Sequence, residues 1–152
     1  GGLEKEDGSG NVSYDTANHE KMVQIRADKV AGIAAHIPPA EVTGDVEDAE
    51  MLVVGWGSTW GAIDGAVSRV RKRGRRVAHV HLRHLNPFPT NLGEVLRRYP
   101  KVVVPEMNLG QLAHLLRAEF LVDARPISRV RGLPVTAAEL EQSILEHLGD
   151  AR

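Results

Sequence analysis

The sequence predicts an α/β domain built on a mostly parallel sheet, and three observations carry that reading. Largely apolar runs, Met51-Leu52-Val53-Val54, Val77-Ala78-His79-Val80-His81-Leu82 and Val102-Val103-Val104, have the character of strands buried on both faces. Between them lie segments with apolar residues at helical spacing, such as Ile63, Ala66, Val67 and Val70 at i, i+3, i+4 and i+7. This alternation specifies βαβ units, whose right-handed crossovers place helices on both faces of the sheet.

The elements follow in order. Residues 1–14 are Gly-rich and charged and read as loop. Asp15 or Thr16 caps a helix running to about Ala35. Its apolar positions Met22, Val23 or Ile25, Val30 and Ile33 recur at helical spacing, charges fill the other face, and Pro38-Pro39 stops it. The polar stretch Glu41 to Glu50 carries a brief edge strand near Val42. Met51 to Val54 is the first buried strand, closed by Gly55. The helix carrying Ile63 to Val70 ends at Gly74, and Val77 to Leu82 is the second strand. Pro87-Phe88-Pro89 makes a rigid turn. Asn91 and Glu94 have the spacing of a helix cap and its reciprocal acid, ahead of the stripe Leu92, Val95, Leu96 and Tyr99, and Pro100 ends that helix. Val102-Val103-Val104 is the third strand, closed by Pro105. A helix bearing Leu112, Leu115, Leu116 and Phe120 follows, then a fourth strand over Ile127 to Val130. Thr136 and Glu139 form a capping box for a last helix with Leu140, Ile144 and Leu148 facing inward.

Composition narrows the function classes. A chain of 152 residues is the size of one domain and is long enough to bury a core. Its formal net charge of −1 argues against nucleic acid or an acidic membrane surface as partner. The absence of cysteine removes disulfides, a thiol nucleophile and the thiolate ligands of iron–sulfur clusters. No run of about 18 apolar residues is present to span a membrane. The opening Gly1-Gly2-Leu3-Glu4-Lys5-Glu6-Asp7 lacks the apolar core of a signal peptide and reads as a cut inside a longer polypeptide; the expected compartment is the cytoplasm.

Three patterns invite a chemical reading, and each has a plainer one. Gly55-Trp56-Gly57-Ser58-Thr59-Trp60-Gly61 is a strand-to-helix turn of the kind that holds an anion on free backbone N–H groups. It departs from the dinucleotide fingerprint, because the third glycine comes one residue late and the second strand ends in His81-Leu82-Arg83 rather than an acid. A nucleotide- or anion-binding module is therefore the alternative reading, behind a structural turn or one facing a neighbouring domain. His79, His81 and His84 suggest metal ligation, since i and i+2 share one face of a strand. Glu106 is the only acid placed to complete such a site, so histidines with satisfied ring nitrogens, in the core or at an interface, are expected. Arg69, Arg71, Lys72, Arg73, Arg75 and Arg76 fall at a helix C-terminus, where cations complement the dipole, and no base-reading residues interleave them. No nucleophile elbow, Walker lysine or paired-carboxylate arrangement stands out. Glu106-Met107-Asn108-Leu109-Gly110 follows a strand and opens a helix, on the carboxyl edge where open α/β sheets meet ligands and partners. The plainer reading makes Glu106 and Asn108 helix caps.

The stretches Gly55-Trp56-Gly57-Ser58, Ala78 to Pro89 and Val104 to Leu112 together resemble the alpha subunit of 2-oxoacid:ferredoxin oxidoreductases, the 2-oxoglutarate type most of all. Gly2-Leu3-Glu4, Asn18 to Met22 and Arg26 to Val30 are similar to that subunit's connection between domains, so the resemblance covers nearly the whole chain. The glycine-serine turn and the Leu85-Asn86-Pro87-Phe88 corner are distantly similar to the C-terminal domain of transketolase. The resemblance implies a three-layer α/β/α sandwich on a mixed, mostly parallel five-stranded sheet whose first short strand is antiparallel. It implies an inter-domain linker and helix over 1–40 and the transketolase-like domain over 41–152. It implies a parent enzyme that oxidatively decarboxylates a 2-oxoacid with coenzyme A and reduces ferredoxin, using thiamine diphosphate, magnesium and an iron–sulfur cluster. None of these cofactors is expected in this chain, and no catalytic or metal-binding residue is assigned. The expected role is structural, bracing the preceding domains of the alpha subunit and the beta subunit. The expected contacts are Gly55, Trp56, Gly57, Ser58, Asn86, Pro87, Phe88, Glu106, Asn108 and Gly110.

Overall fold

The computed structural model describes residues 2–149, which divide into two compact units. The smaller contains residues up to Pro38 together with His84–Thr90, and the larger contains Pro39–Arg83 and the chain from Asn91 onward.

In the smaller unit, residues expected as loop form a two-stranded antiparallel hairpin, β1 (Glu4–Lys5) with β2 (Val12–Ser13). Its turn is held by Glu6 and Asn11 backbone bonds, and strands of two residues leave no periodicity to read from sequence. Helix α1 (Thr16–Gly32) is capped by Asp15, whose carboxylate accepts from Ala17 N at 3.1 Å, and runs into a 3₁₀ turn over Ile33–His36. The expected apolar stripe does not make a core: α1 has no buried residue, and Val23, Ile25, Val30 and Ile33 are all exposed. The Asn86–Pro87 peptide bond in this unit is cis.

The larger unit is a five-stranded sheet in the order β3-β5-β4-β6-β7. The strands are β3 (Val42–Gly44), β4 (Met51–Trp56), β5 (Val77–Leu82), β6 (Val102–Glu106) and β7 (Ala124–Ser128). Only β3 is antiparallel, pairing Val42 with Val80 and Gly44 with Ala78. The other pairs are parallel, with Val54 opposite Val80 and Val53 opposite Val103. The first crossover, helix α2 (Trp60–Lys72), steps from β4 to one side. Helices α3 (Leu92–Arg97) and α4 (Gln111–Phe120) carry the chain back and to the other side. With right-handed crossovers, that reversal puts α2 on one face and α3 and α4 on the other. Helix α5 (Ala137–Leu148) returns to the α2 face. There Met51, Val53, Ile63, Val70, Val103, Leu140 and Ile144 form one buried cluster. Each large side chain buried this way contributes roughly 1.5–3 kcal/mol. Opposite, Leu92, Leu96, Leu112 and Leu116 are fully buried.

Several local expectations shift. Pro105 does not close β6; the strand continues through it to Glu106, pairing Pro105 with Ile127. β7 begins at Ala124, three residues earlier than the apolar pattern suggested. Arg125 and Pro126 break that pattern because β7 is an edge strand with Arg125 and Pro126 exposed. Leu115 is exposed rather than part of the α4 stripe. Asn91 is no cap: its side chain makes two bonds to Ala40, accepting from its N at 2.8 Å and donating to its O at 3.0 Å. The Thr136–Glu139 capping box is present in both directions.

Candidate functional site

All parallel strands end on one edge, and the connections leaving β4, β6 and β7 there define the candidate site. After β4 the chain makes a 3₁₀ turn over Gly57–Thr59 with Gly57 at φ +59°. Buried Thr59 ties the turn down by donating from Oγ1 to Trp56 O at 2.7 Å. Trp56 is half-buried, Ser58 is exposed, and Trp60 stands 56% exposed at the start of α2.

After β6, Glu106 is 2% exposed and its carboxylate faces the start of α4. It accepts from Leu112 N at 2.9 Å, Ala113 N at 3.1 Å and Asn108 Nδ2 at 3.1 Å. Asn108 Oδ1 accepts from Gly110 N at 2.8 Å and Gln111 N at 2.9 Å. Together they satisfy the backbone donors that a helix start leaves open, with a carboxylate at the positive end of the helix dipole. Gly110 is left-handed at φ +89°, and a Cβ there would lie 3.0 Å from Pro126 Cβ, so any other residue would be strained and crowded. Glu106, Asn108 and Gly110 thus have an internal task, the plainer reading of the sequence. Between them Met107 and Leu109 point outward, Leu109 80% exposed. After β7, Arg129 N donates to Glu106 O at 2.9 Å, and Val130 and Leu133 are exposed in the loop that follows.

The structure therefore gathers Gly55, Trp56, Gly57, Ser58, Glu106, Asn108 and Gly110 on one edge of the larger unit. Asn86, Pro87 and Phe88 belong to the smaller unit, where Asn86 is exposed. Sequence reasoning missed Met107, Leu109, Val130 and Leu133 as outward-facing groups. An apolar residue flanking a strand end gives no periodic signal of which way it points; for Met107 and Leu109 the available signal was their position within a turn already singled out, and for Val130 and Leu133, beyond the end of β7, there was none.

The histidines differ from expectation. His79 is buried, and burial is the main cause that lowers its pKa to about 4. His81 is also lowered, again chiefly by burial. His79 Nε2 and His81 Nδ1 are buried without hydrogen-bond partners, where satisfied nitrogens were expected. His84 lies in the other unit. Among the described residues, no three His, Asp or Glu side chains gather in a way that could hold a metal ion.

The basic run is largely absorbed by ion pairs. Arg71 meets Asp45 at 2.8 Å, Arg75 meets Glu50 at 2.9 Å, and Arg73 meets Glu141 at 2.6 Å. The Arg71 and Arg75 hydrogen bonds hold the Asp45 and Glu50 carboxyls below their ordinary range. No helix among the described residues is long and apolar enough to cross a membrane.

Residues 49–140 match the model of the pyruvate:ferredoxin oxidoreductase core domain II. The chain is 54% identical over 144 residues to the 2-oxoglutarate oxidoreductase subunit KorA of Mycobacterium tuberculosis, covering 95% of this chain and 22% of that protein. It is 37% identical to the 2-oxoglutarate synthase subunit KorA of Methanocaldococcus jannaschii, covering 92% of this chain and 37% of the relative. Among solved structures, the 2-oxoglutarate:ferredoxin oxidoreductase of Magnetococcus marinus superposes with a TM-score of 0.86 at 30% identity, over 95% of this chain and 26% of that one. A split-gene transketolase chain shares the fold, with a TM-score of 0.56 at 21% identity, over 76% of this chain and 44% of that one. The chain thus spans less than half the length of each of these relatives.

Proposed function

The chain belongs to the pyruvate:ferredoxin oxidoreductase core domain II family, and from that membership we propose that it is the assembly domain of a 2-oxoacid:ferredoxin oxidoreductase alpha subunit. The 2-oxoacid is 2-oxoglutarate, in line with the names of the relatives. The parent reaction is oxidative decarboxylation with coenzyme A, the electrons passing to ferredoxin. Residues 1–40 serve as linker and helix, and 41–152 as the bracing domain.

The reaction's thiamine diphosphate, magnesium and iron–sulfur cluster fit other parts of the enzyme better than this chain. It offers no cysteine for a cluster; of the buried carboxylates among the described residues, Glu106 is already committed to three donors and Glu141 is paired with Arg73. What the chain offers instead is a rigid edge. The observation that carries this reading is that Trp60, Met107, Leu109, Val130 and Leu133 project apolar surface from three adjacent strand ends, on a frame whose α4 start is capped from within by Glu106 and Asn108. Large apolar side chains clustered on a rigid frame are what a partner surface requires. The Gly55-Trp56-Gly57-Ser58 turn, and Asn86, Pro87 and Phe88, complete the proposed contact set.

The test is a paired substitution, Trp60→Glu with Leu109→Lys, in the full-length alpha subunit co-expressed with its beta subunit. The expected result is at least a roughly tenfold fall in subunit association and turnover. Thermal stability of the 152-residue chain should move by less than about 2 °C, because exposed side chains away from caps and cores change stability little. Unchanged association and turnover would sink the assignment.

A further inference from the structure

His79 and His81 stand two apart on β5, so they share one face of the strand. His79 Nε2 and His81 Nδ1 both converge on the backbone of Gly55 in β4. A Cβ built on Gly55 would lie 2.7 Å from His81 Nδ1, 3.3 Å from His79 Nε2 and 2.7 Å from Ile63 Cδ1. Both nitrogens are buried and lack hydrogen-bond partners. Burying such groups unsatisfied is costly, so an arrangement that satisfies them is expected. A water between them needs room and two to four polar partners, and Gly55 and the Ile63 methyl crowd the same space. A metal ion needs at least a third donor, and the described residues supply none. One arrangement that satisfies both nitrogens within the chain is a bond between them.

The protonation pattern follows from one contact. His81 Nε2 lies 3.2 Å from the Gly57 carbonyl oxygen, which can only accept, so Nε2 carries the hydrogen. In a neutral ring Nδ1 is then a bare acceptor. The complementary partner is His79 with its hydrogen on Nε2. The rings stand edge to face, with centroids 6.0 Å apart and planes at 79°, and a bond between them requires His79 to turn while His81 keeps its contact with Gly57.

We propose that His79 and His81 form a directed imidazole pair that positions the Gly57 turn: His79 Nε2–H donates to His81 Nδ1, and His81 Nε2–H donates to the Gly57 carbonyl. The pair links the buried strand β5 to the turn carrying Trp56 and Trp60, and Gly55 is the glycine that lets the rings pack over β4. A proton on His81 abolishes its acceptor and breaks the pair. The charged groups around the rings are few. His81 disfavours charge on His79 and Asp64 on α2 favours it, while the Gly57 carbonyl favours charge on His81 and Arg83, just after β5, disfavours it. From β3 comes uncharged Thr43, whose Oγ1 donates to the His79 carbonyl at 3.3 Å.

Long-range ¹⁵N–¹H correlation spectra of the labelled chain, recorded from about pH 8 to about pH 4.5, test this directly. The expected result is both rings neutral at pH 7, each with its hydrogen on Nε2. For His81 that tautomer should exceed the other by about tenfold, the upper range that one net hydrogen bond sustains. His79→Gln keeps an amide donor near Nε2 and should hold that ratio, while His79→Phe should lower it to below about threefold and shift Trp emission. A bare Nε2 on His79, a hydrogen on Nδ1 of His81, or identical His81 spectra in the two variants would each overturn the proposal. So would stoichiometric zinc binding that shifts both rings. If the Phe variant fails to fold, the tautomers of the unmodified chain decide the question.

Discussion

At the amino end of the five-stranded sheet, Asp45, Glu50 and Asp123 meet Arg71, Arg75 and Arg125 at 2.8 to 2.9 Å, and Lys101 Nζ donates to the last carbonyls of α5. At the carboxyl end, the same strands run out into Trp60, Met107, Leu109, Val130 and Leu133, all exposed. The two ends belong to one rigid layer, yet one is finished in charge and the other in apolar surface. Exposed ion pairs contribute little stability, typically about 0–1 kcal/mol, but they leave a surface content in water. Apolar side chains on a well-capped frame are the opposite case: they gain only when covered. The contrast separates the end that suits solvent from the end that suits a docking partner, and it orients the domain in the proposed assembly.

Four substitutions or conditions break or sharpen that contrast. The largest effect is expected at the carboxyl end from Glu106→Ala, which strips two buried backbone N–H groups of their acceptor. It should cost about 3–5 kcal/mol and lower the melting temperature by roughly 10 °C or more. A fall under 2 °C by calorimetry would mean that the cap is dispensable. Second is acid. His79 remains neutral in the fold down to about 4, whereas the unfolded chain takes up its proton near 6.5, so stability falls as pH drops through that window. The sum is roughly 3 kcal/mol, and His79→Gln should flatten the slope in denaturant titrations between about pH 6.5 and 5. Third, at the amino end, Arg75→Ala should cost about 1 kcal/mol, less in high salt. A loss as large as that of Glu106→Ala would erase the distinction between the ends. The smallest change is a gain. Leu121 caps α4 in the left-handed region at φ 54° and is 90% exposed, so Leu121→Gly should stabilise by about 0.5 kcal/mol.

The sheet was legible because its strands are buried on both faces, so Val77 to Leu82 and Val102 to Val104 carried their own signal. The edges were less so. β7 holds Arg125 and Pro126, which answer to solvent and not to a core, and the β1–β2 hairpin is too short for any period. Asn91 illustrates a tertiary override: the cap spacing was there, but Ala40, 51 residues away, offered its side chain two bonds. The α1 stripe is a different failure, since helical spacing of apolar residues does not say that anything packs against them. For the site, the turns after β4 and β6 were legible from their glycines and the Glu106–Asn108 pattern. That Met107 and Leu109 point outward was not, because alternation stops where a strand ends.

Edge strand β7 bears on what happens before any partner arrives. An open sheet invites a foreign strand to extend it, and a domain with a bare apolar end is exposed to that hazard while it waits. In β7, Pro126 has no N–H to offer a newcomer, and Arg125 beside it places a charge on the rim. The same proline ring packs over Gly110 at the start of α4. One residue thus both discourages strand-to-strand aggregation on the flank and fixes the loop that presents Leu109. The chain can keep a sticky end without becoming a fibre.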